Sequence, residues 1–310
     1  MGRDSDSGGE VSLDVLSHPG LEVLLRESAR QGTTSAWWGH VPFASWLVHA
    51  TRPRTIVELG SHSGVSYFAF CQAVAEEELA CACHAVDTWQ GDAHTKHYGP
   101  AVYEDFARFN GAHYAAFSTA HRCTFDEALP RFADGCVDIL HIDGLHTYDA
   151  VKHDFESWGA KLSPRAVVLF HDTAERRGDF GVWRLWDEVS ARWPAFQFLH
   201  SHGLGVLAVG EETPAAVLEL CASDAERTER LRRVFQMVGR LHSEREACLE
   251  AGLAREGALH DRIADMQSSA SWRMTKPFRS INRSLRRRLR HGHPRGGGGM
   301  DPSREARARL

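Results

Sequence analysis

A chain of 310 residues, with 43% hydrophobic and 25% charged residues, is long enough and apolar enough to bury a globular core. The net charge of −5 combines an acidic body with a basic C-terminal stretch, which argues against nucleic acid as a partner of the main body. We find no apolar secretory signal, no membrane-length apolar segment and no CxxC pair among the seven cysteines, which predicts a cytoplasmic protein with reduced thiols.

Strands and helices alternate along the predicted chain. Two helices are predicted within residues 11–51. Apolar runs then predict strands at TIVELG, ACACHAVD, VDILHID and AVVLFHD, with a weaker one at AAFSTAHRC, and helical segments lie between them. FQFLHSHGLGVLAVG predicts a final β-hairpin. The fold class is therefore α/β, with a mostly parallel sheet, an antiparallel last strand and a C-terminal helical, basic tail.

Four parts are predicted from this pattern: a helical cap (1–52), the α/β domain (53–210), a helical, coiled-coil-like extension (211–268) and a basic, partly disordered tail (269–310). The extension is a candidate for homo-oligomerisation, which Gly252 and Gly257 weaken. The tail carries apolar residues between arginines: Trp272, Phe278, Ile281, Leu285 and Leu289. Such a segment is typical of peripheral contact with an anionic membrane, and the alternative is a solvated basic extension.

The first motif with chemical content is VELGSHSGVS, which joins the first strand to a helix. Gly60 permits the tight turn, and Gly64 lets the helix N-terminus approach a ligand, although such a loop alone is a weak signal. The next strand ends in Asp87, whose carboxylate can accept hydrogen bonds from the ribose of a nucleoside cofactor. A helix-capping or loop role is the alternative for Asp87.

Two later strands also end in polar residues. Asp143 ends one of them and His146 follows three residues later, while His171 and Asp172 end the next strand. Because parallel strands present their carboxyl ends at one edge of the sheet, these groups are expected to share a crevice. Helix capping by Asp143 and histidines satisfied by their neighbours are the alternative, but four such groups at paired strand ends favour a functional site.

These motifs, in the order VELGSHSG, VDTWQGDAH, DILHIDGLHTYDAVKHDF and VVLFHDT, resemble class I S-adenosylmethionine-dependent methyltransferases of bacterial glycan and secondary-metabolite gene clusters. They are similar to the metal-dependent sugar O-methyltransferases of macrolide biosynthesis. The resemblance covers about residues 36–210. It implies a Rossmann-like methyltransferase domain, S-adenosylmethionine as cofactor, and a sugar hydroxyl of a surface glycan or glycosylated metabolite as acceptor.

The resemblance also implies roles for individual residues. The loop that begins at Glu58 would hold the methionine part of the cofactor, Asp87 the ribose, and Trp89 or residues 123–125 would lie near the adenine. The implied cofactor residues are Glu58, Gly60, Ser61, Gly64, Asp87, Trp89 and Thr124. The implied catalytic residues are His146, as general base, and Asp143; the implied ligands of a Mg²⁺ or Mn²⁺ ion are Asp143, His171 and Asp172.

One position departs from the pattern of these enzymes, because His171 stands where they have a carboxylate. Imidazole suits Mn²⁺, Fe²⁺ or Zn²⁺ better than Mg²⁺. The alternatives are a different metal, a His171 outside the ligand set, or a reaction without metal in which a histidine acts alone.

Other polar and aromatic segments do not identify the acceptor. Trp37, Trp38 and His40 are candidates for sugar contacts or for core packing, and the polar loop of residues 91–98 is a candidate lid. SWRMTKPFR resembles the ends of bacterial polysaccharide glycosyltransferases, which implies a location at the inner membrane face.

Three rival functions compete with this interpretation of the sequence. The first is a catalytically silent methyltransferase-fold adaptor in a glycan-assembly complex, and the second is hydroxylase-type chemistry on the same fold. The third, an NAD-dependent oxidoreductase, is disfavoured by the final hairpin and by the absence of G-x-G-x-x-G.

Overall fold

The computed structural model describes residues 21–276. The predicted helix near residue 11 and the tail residues Phe278, Ile281, Leu285 and Leu289 lie outside this range. The chain divides into two compact units at Glu250, and the α/β sheet belongs entirely to the first.

A seven-stranded sheet forms the centre of the first unit, in the order β5-β2-β1-β6-β7-β9-β8. Its strands are β1 (Thr55–Leu59), β2 (Ala82–Asp87), β5 (Ser118–Arg122), β6 (Val137–Ile142), β7 (Leu162–His171), β8 (Ala195–Phe198) and β9 (Leu204–Ala208). All neighbours from β5 to β7 are parallel, whereas β9 is antiparallel to both β7 and β8. The predicted α/β fold with an antiparallel last strand is confirmed.

Helices cover both faces of the sheet, so the central strands are buried on both sides and read as nearly continuous apolar runs. The helices are α1 (Leu21–Leu24), α2 (Val41–Thr51), α3 (Val65–Glu76), α4 (Ala101–His113), α5 (Phe125–Ala128), α6 (Tyr148–Trp158), α7 (Val182–Val189), α8 (Ala215–Cys221), α9 (Ala225–Ser268) and α10 (Ala270–Met274). The strand order reverses between β1 and β6: β2 and β5 follow on one side of β1, whereas β6 and β7 lie on the other. In open α/β sheets a ligand crevice opens beyond the carboxyl ends of such a strand pair.

A small hairpin that the sequence did not predict follows β2. Its strands are β3 (Gly91–Asp92) and β4 (Lys96–His97). The Asp92 carboxylate closes the turn by accepting hydrogen bonds from the backbone amides of His94 and Thr95, both at 2.8 Å. The hairpin therefore has its own local stabilisation.

The first half of α9 packs on the α/β unit through Leu231, Phe235 and Val238, all buried. Farther along, the Glu246 carboxylate accepts a hydrogen bond from the Gly32 amide at 2.7 Å, and that of Glu250 accepts one from the Thr34 hydroxyl at 2.7 Å. Side chains of α9 thus hydrogen-bond to residues 32–34, which precede α2. No helix among residues 21–276 is long and apolar enough to cross a membrane.

Asp154, on α6, is a buried carboxyl group that makes stability depend on pH. Burial raises its pKa from 3.8 to about 7, against the attraction of His153 and with a smaller contribution from Asp126. A raised pKa in the folded state means that this stability is present below about pH 4 and is lost as the pH rises through about 7. At 1.36 kcal/mol per pKa unit, the difference corresponds to at most about 4 kcal/mol.

We therefore expect Asp154→Asn to raise the free energy of unfolding by about 2–4 kcal/mol at pH 8 and to change it little at pH 4. Urea unfolding at the two pH values measures this. Asp187→Asn, which replaces an exposed carboxylate on α7, is the control. Equal stability of the Asp154 variant and the wild type at pH 8 would contradict the expectation.

Candidate active site

The loop after β1 has the conformation that its glycines allow. Gly60 has φ +88°, and a Cβ there would lie 2.2 Å from the carbonyl oxygen of Asp143. Gly64 has φ +83° and precedes the first residue of α3. Both positions require glycine, because the left-handed backbone is costly for other residues and the neighbouring atoms leave no space.

Asp87, at the end of β2, holds this loop in place. Its Oδ2 accepts hydrogen bonds from the backbone amides of Ser61 (2.9 Å) and His62 (2.8 Å), and its Oδ1 accepts one from the Trp89 amide (2.6 Å). A carboxylate oxygen can accept more than one hydrogen bond. Oδ1 therefore keeps capacity for a ligand hydroxyl.

The first cavity, of about 280 Å³, opens beside Asp87. Its wall includes Gly60, Asp87, Tyr98, Thr124, Phe125 and Gly144. The Thr124 hydroxyl caps α5 by accepting a hydrogen bond from the Glu127 amide at 3.2 Å. The segment from Thr124 to Phe125 thus borders this cavity.

Trp89 lies elsewhere than expected. It is 1% exposed, packs against Tyr103 and Phe106, and donates its indole N–H to the His62 carbonyl at 2.8 Å. Its φ of +52° turns the side chain into the core, and it lines neither cavity described here. Among the described residues, the aromatic wall consists of Tyr98 and Phe125 instead.

Glu58 is also fully buried. His141 donates its Nδ1–H to Glu58 Oε2 at 2.7 Å and accepts the indole N–H of Trp37 at Nε2, 3.2 Å away. Glu58 Oε1 and the Ser61 hydroxyl are buried and have no hydrogen-bond partner among the described residues. Two unsatisfied polar atoms thus lie at or next to the glycine loop.

A second cavity, also about 280 Å³, adjoins the first. Four residues border both cavities: Gly60, His62, Thr95 and Asp143. The wall of the second cavity also includes Trp37, His146, His171, Asp172, Glu175 and Arg177. The four residues predicted at the ends of β6 and β7 therefore lie together, beside the glycine loop.

Trp37 is part of this wall, but its indole N–H is bonded to His141. Trp38 donates to the Thr33 carbonyl at 2.8 Å, and His40 lies 1% exposed with its Nε2 3.4 Å from the Ser201 carbonyl oxygen. Core packing accounts for Trp38 and His40.

The carboxylates and imidazoles at the strand ends form one compact cluster. His146 Nε2 lies 3.3 Å from Asp143 Oδ1 and 2.9 Å from Asp172 Oδ2. His171 Nδ1 lies 3.3 Å from the same Asp143 oxygen and 3.4 Å from the same Asp172 oxygen. Asp172 has φ +62°, a left-handed conformation that is uncommon outside glycine but that aspartate adopts more readily than most residues.

Three members of the cluster have the spacing of metal ligands. One donor atom each from Asp143, His146 and Asp172 lies within 4.8 Å of the others. The predicted ligand set contained His171 in place of His146. His171 Nε2 lies 3.1 Å from the Ser201 carbonyl oxygen, to which it can only donate. The other ring nitrogen of His171, Nδ1, faces the two carboxylates.

The opposite charges within the cluster shift the pKa of each of its two carboxylates and two imidazoles. Burial alone would lower the pKa of His146, but the hydrogen bonds and charges of Asp143 and Asp172 raise it to about 9. The pKa of His171 is raised for the same reason, despite its burial. The pKa values of Asp143 and Asp172 are lowered, because the charge of His171 and the hydrogen bonds of both histidines outweigh burial. Without a bound cation, His146 is therefore protonated at neutral pH.

One residue next to the cluster was not predicted to take part in it. His94, from the β3–β4 turn, has its Nδ1 3.3 Å from His146 Nδ1 and its Nε2 2.8 Å from Asp179 Oδ1. Phe180 stacks on both imidazoles. Position in the polar loop after Asp87 was the only signal in the sequence.

Residues 57–173 match the family model described as "Methyltransferase domain". An uncharacterised protein of Sinorhizobium fredii, y4gI, is 44% identical over 260 residues, which cover 81% of this chain. The chain spans only 28% of the length of that relative.

Two crystal structures give examples of more distant similarity. The O-methyltransferase TomG of Streptomyces achromogenes, involved in tomaymycin synthesis and solved in complex with SAM, is 16% identical, with a TM-score of 0.43 over 58% of this chain and 82% of its own. The SAH-bound methyltransferase PaMTH1 of Podospora anserina is 14% identical, with a TM-score of 0.42 over 57% of this chain and 80% of its own. The match to the family model shows that residues 57–173 are similar to a methyltransferase domain.

Proposed function

We propose that the protein is an S-adenosylmethionine-dependent O-methyltransferase that acts on a sugar hydroxyl of a surface glycan or glycosylated metabolite. The observation that carries the proposal is the meeting of two cavities at Gly60 and Asp143, one beside Asp87 and the other beside the carboxylate–imidazole cluster. The methyltransferase-domain match supports the activity. The polar groups around the second cavity favour a hydroxyl-rich acceptor.

The first cavity has the groups that a nucleoside cofactor requires. Asp87 Oδ1 can accept from a ribose hydroxyl, and Phe125 offers an aromatic surface to a base. Ser61, whose hydroxyl has no partner among the described residues, borders the adjoining second cavity and can bind a polar end group that reaches it. S-adenosylmethionine supplies a methyl group on a positively charged sulfur. The chain's part is to hold this group at the junction of the cavities and to orient the acceptor hydroxyl towards it.

The cluster fits a divalent cation, because two carboxylates and one imidazole suit Mn²⁺ and also accommodate Mg²⁺. A cation held by Asp143, His146 and Asp172 would lower the pKa of an acceptor hydroxyl. This assignment competes with the predicted role of His146 as general base, because both roles need the same Nε2 lone pair. We assign His146 to the cation, and His171 to the support of the two carboxylates.

Calorimetry on the full chain tests the activity, since saturable binding of S-adenosylmethionine is expected of an enzyme and not of a silent adaptor. Methyl transfer from labelled cofactor to a panel of free and nucleotide-linked sugars should disappear after EDTA treatment and return with Mn²⁺. Absence of cofactor binding would refute the methyltransferase proposal, and full activity in EDTA would refute the cation.

A further inference from the structure

We infer that His94, anchored by Asp179 and Phe180, is a positioning residue that fixes the ring of His146 in the active site. The inference rests on the proposed function, because it concerns the Nε2 atom that His146 presents to Asp143 and Asp172. His94 belongs to the β3–β4 turn, whereas Asp179 and Phe180 lie in the segment between β7 and α7. Two separate segments therefore meet on His146.

The hydrogen bonds along this chain of residues have a defined direction. The carboxylate of Asp179 can only accept, so His94 Nε2 carries the hydrogen of the 2.8 Å bond. In a neutral imidazole the other nitrogen is then an acceptor. His94 Nδ1 can thus receive the hydrogen on His146 Nδ1, 3.3 Å away. This tautomer of His146 leaves the Nε2 lone pair for a cation.

Stacking on Phe180 fixes the plane of the His146 ring. The centroid of the Phe180 ring lies 4.5 Å from that of the His94 ring at an interplanar angle of 11°, and 5.0 Å from that of the His146 ring at 10°. The side chain of His94 is 11% exposed, whereas that of Asp179 is 72% exposed. His94 is therefore a largely buried link whose outer partner lies at the surface. Histidine ligands of metals are commonly oriented through their second nitrogen in this way.

Mn²⁺ affinity, measured by calorimetry on the full chain without cofactor, tests the inference. His94→Phe keeps an aromatic ring against Phe180 and removes the acceptor, so we expect Mn²⁺ binding about 10- to 100-fold weaker. His94→Gln offers an amide oxygen as acceptor and should recover part of the loss. His97→Phe, in the same hairpin, is the matched control and should bind as the wild type does.

A second measurement does not depend on the metal. In ¹⁵N-histidine spectra, assigned with His146→Gln, the Nδ1 signal of His146 should move in His94→Phe and stay in place in His97→Phe. An unmoved signal overturns the inference, as does unchanged Mn²⁺ affinity in a His94→Phe protein whose wild type binds Mn²⁺. A wild type that binds no Mn²⁺ refutes the proposed cation instead, and the spectra then decide the role of His94.

Discussion

Replacing Asp143 with asparagine is expected to weaken Mn²⁺ binding by more than about a hundredfold, because loss of a residue that merely supports a ligand already costs about 10- to 100-fold. Asp143 also borders both cavities and pairs with His146 and His171. Asp172→Asn should act in the same direction. Calorimetry with Mn²⁺ measures the affinity, and the methyl-transfer assay should show a matching loss of turnover.

Asp126→Asn is the control for this prediction, because it removes an exposed carboxylate that pairs with His153 outside the cluster. Its Mn²⁺ affinity should equal that of the wild type. If Asp143→Asn binds Mn²⁺ as tightly as the wild type does, the carboxylate does not hold the cation.

Gly60→Ala is expected to have the largest effect on the fold itself. A left-handed backbone costs a residue with a Cβ about 1–2 kcal/mol. The new Cβ would also lie 2.2 Å from the Asp143 carbonyl oxygen, a backbone atom that cannot move without displacing the end of β6. We expect the free energy of unfolding to fall by about 3 kcal/mol or more, together with loss of S-adenosylmethionine binding.

Gly111→Ala is the matched control, since a Cβ at this position of α4 meets nothing within 4 Å. Alanine should stabilise the helix there by about 0.5–1 kcal/mol. Urea unfolding of the two variants gives the comparison. A Gly60→Ala protein as stable as the wild type would mean that the loop can shift away from β6.

The sheet and its strand-end residues could be predicted because both follow from local patterns. Apolar runs of strand length mark β1, β6 and β7, and the parallel arrangement then brings Asp143 and His171 to one edge. Gly60 was predictable for the same reason, because a strand-to-helix turn at that place needs a left-handed residue. The final hairpin of β8 and β9 was marked by its glycine-containing turn.

Side-chain directions and long-range contacts were not predictable. Side-chain rotamers decide which histidine, His146 or His171, has the spacing of a metal ligand with the two carboxylates. The left-handed backbone of Trp89, which turns its indole into the core, has no signal in the sequence. The contact between His94 and His146 joins residues 52 positions apart. Hydrophobic periodicity carries no information about a contact of this kind.

The small β3–β4 hairpin has a consequence for ligand binding. It places Asp92 on the first cavity and His94 beside His146, while Thr95 borders both cavities. A molecule in either cavity would thus contact Thr95 of the same hairpin. Two substrates that contact one hairpin are expected to influence each other's binding, so that each changes the apparent affinity for the other.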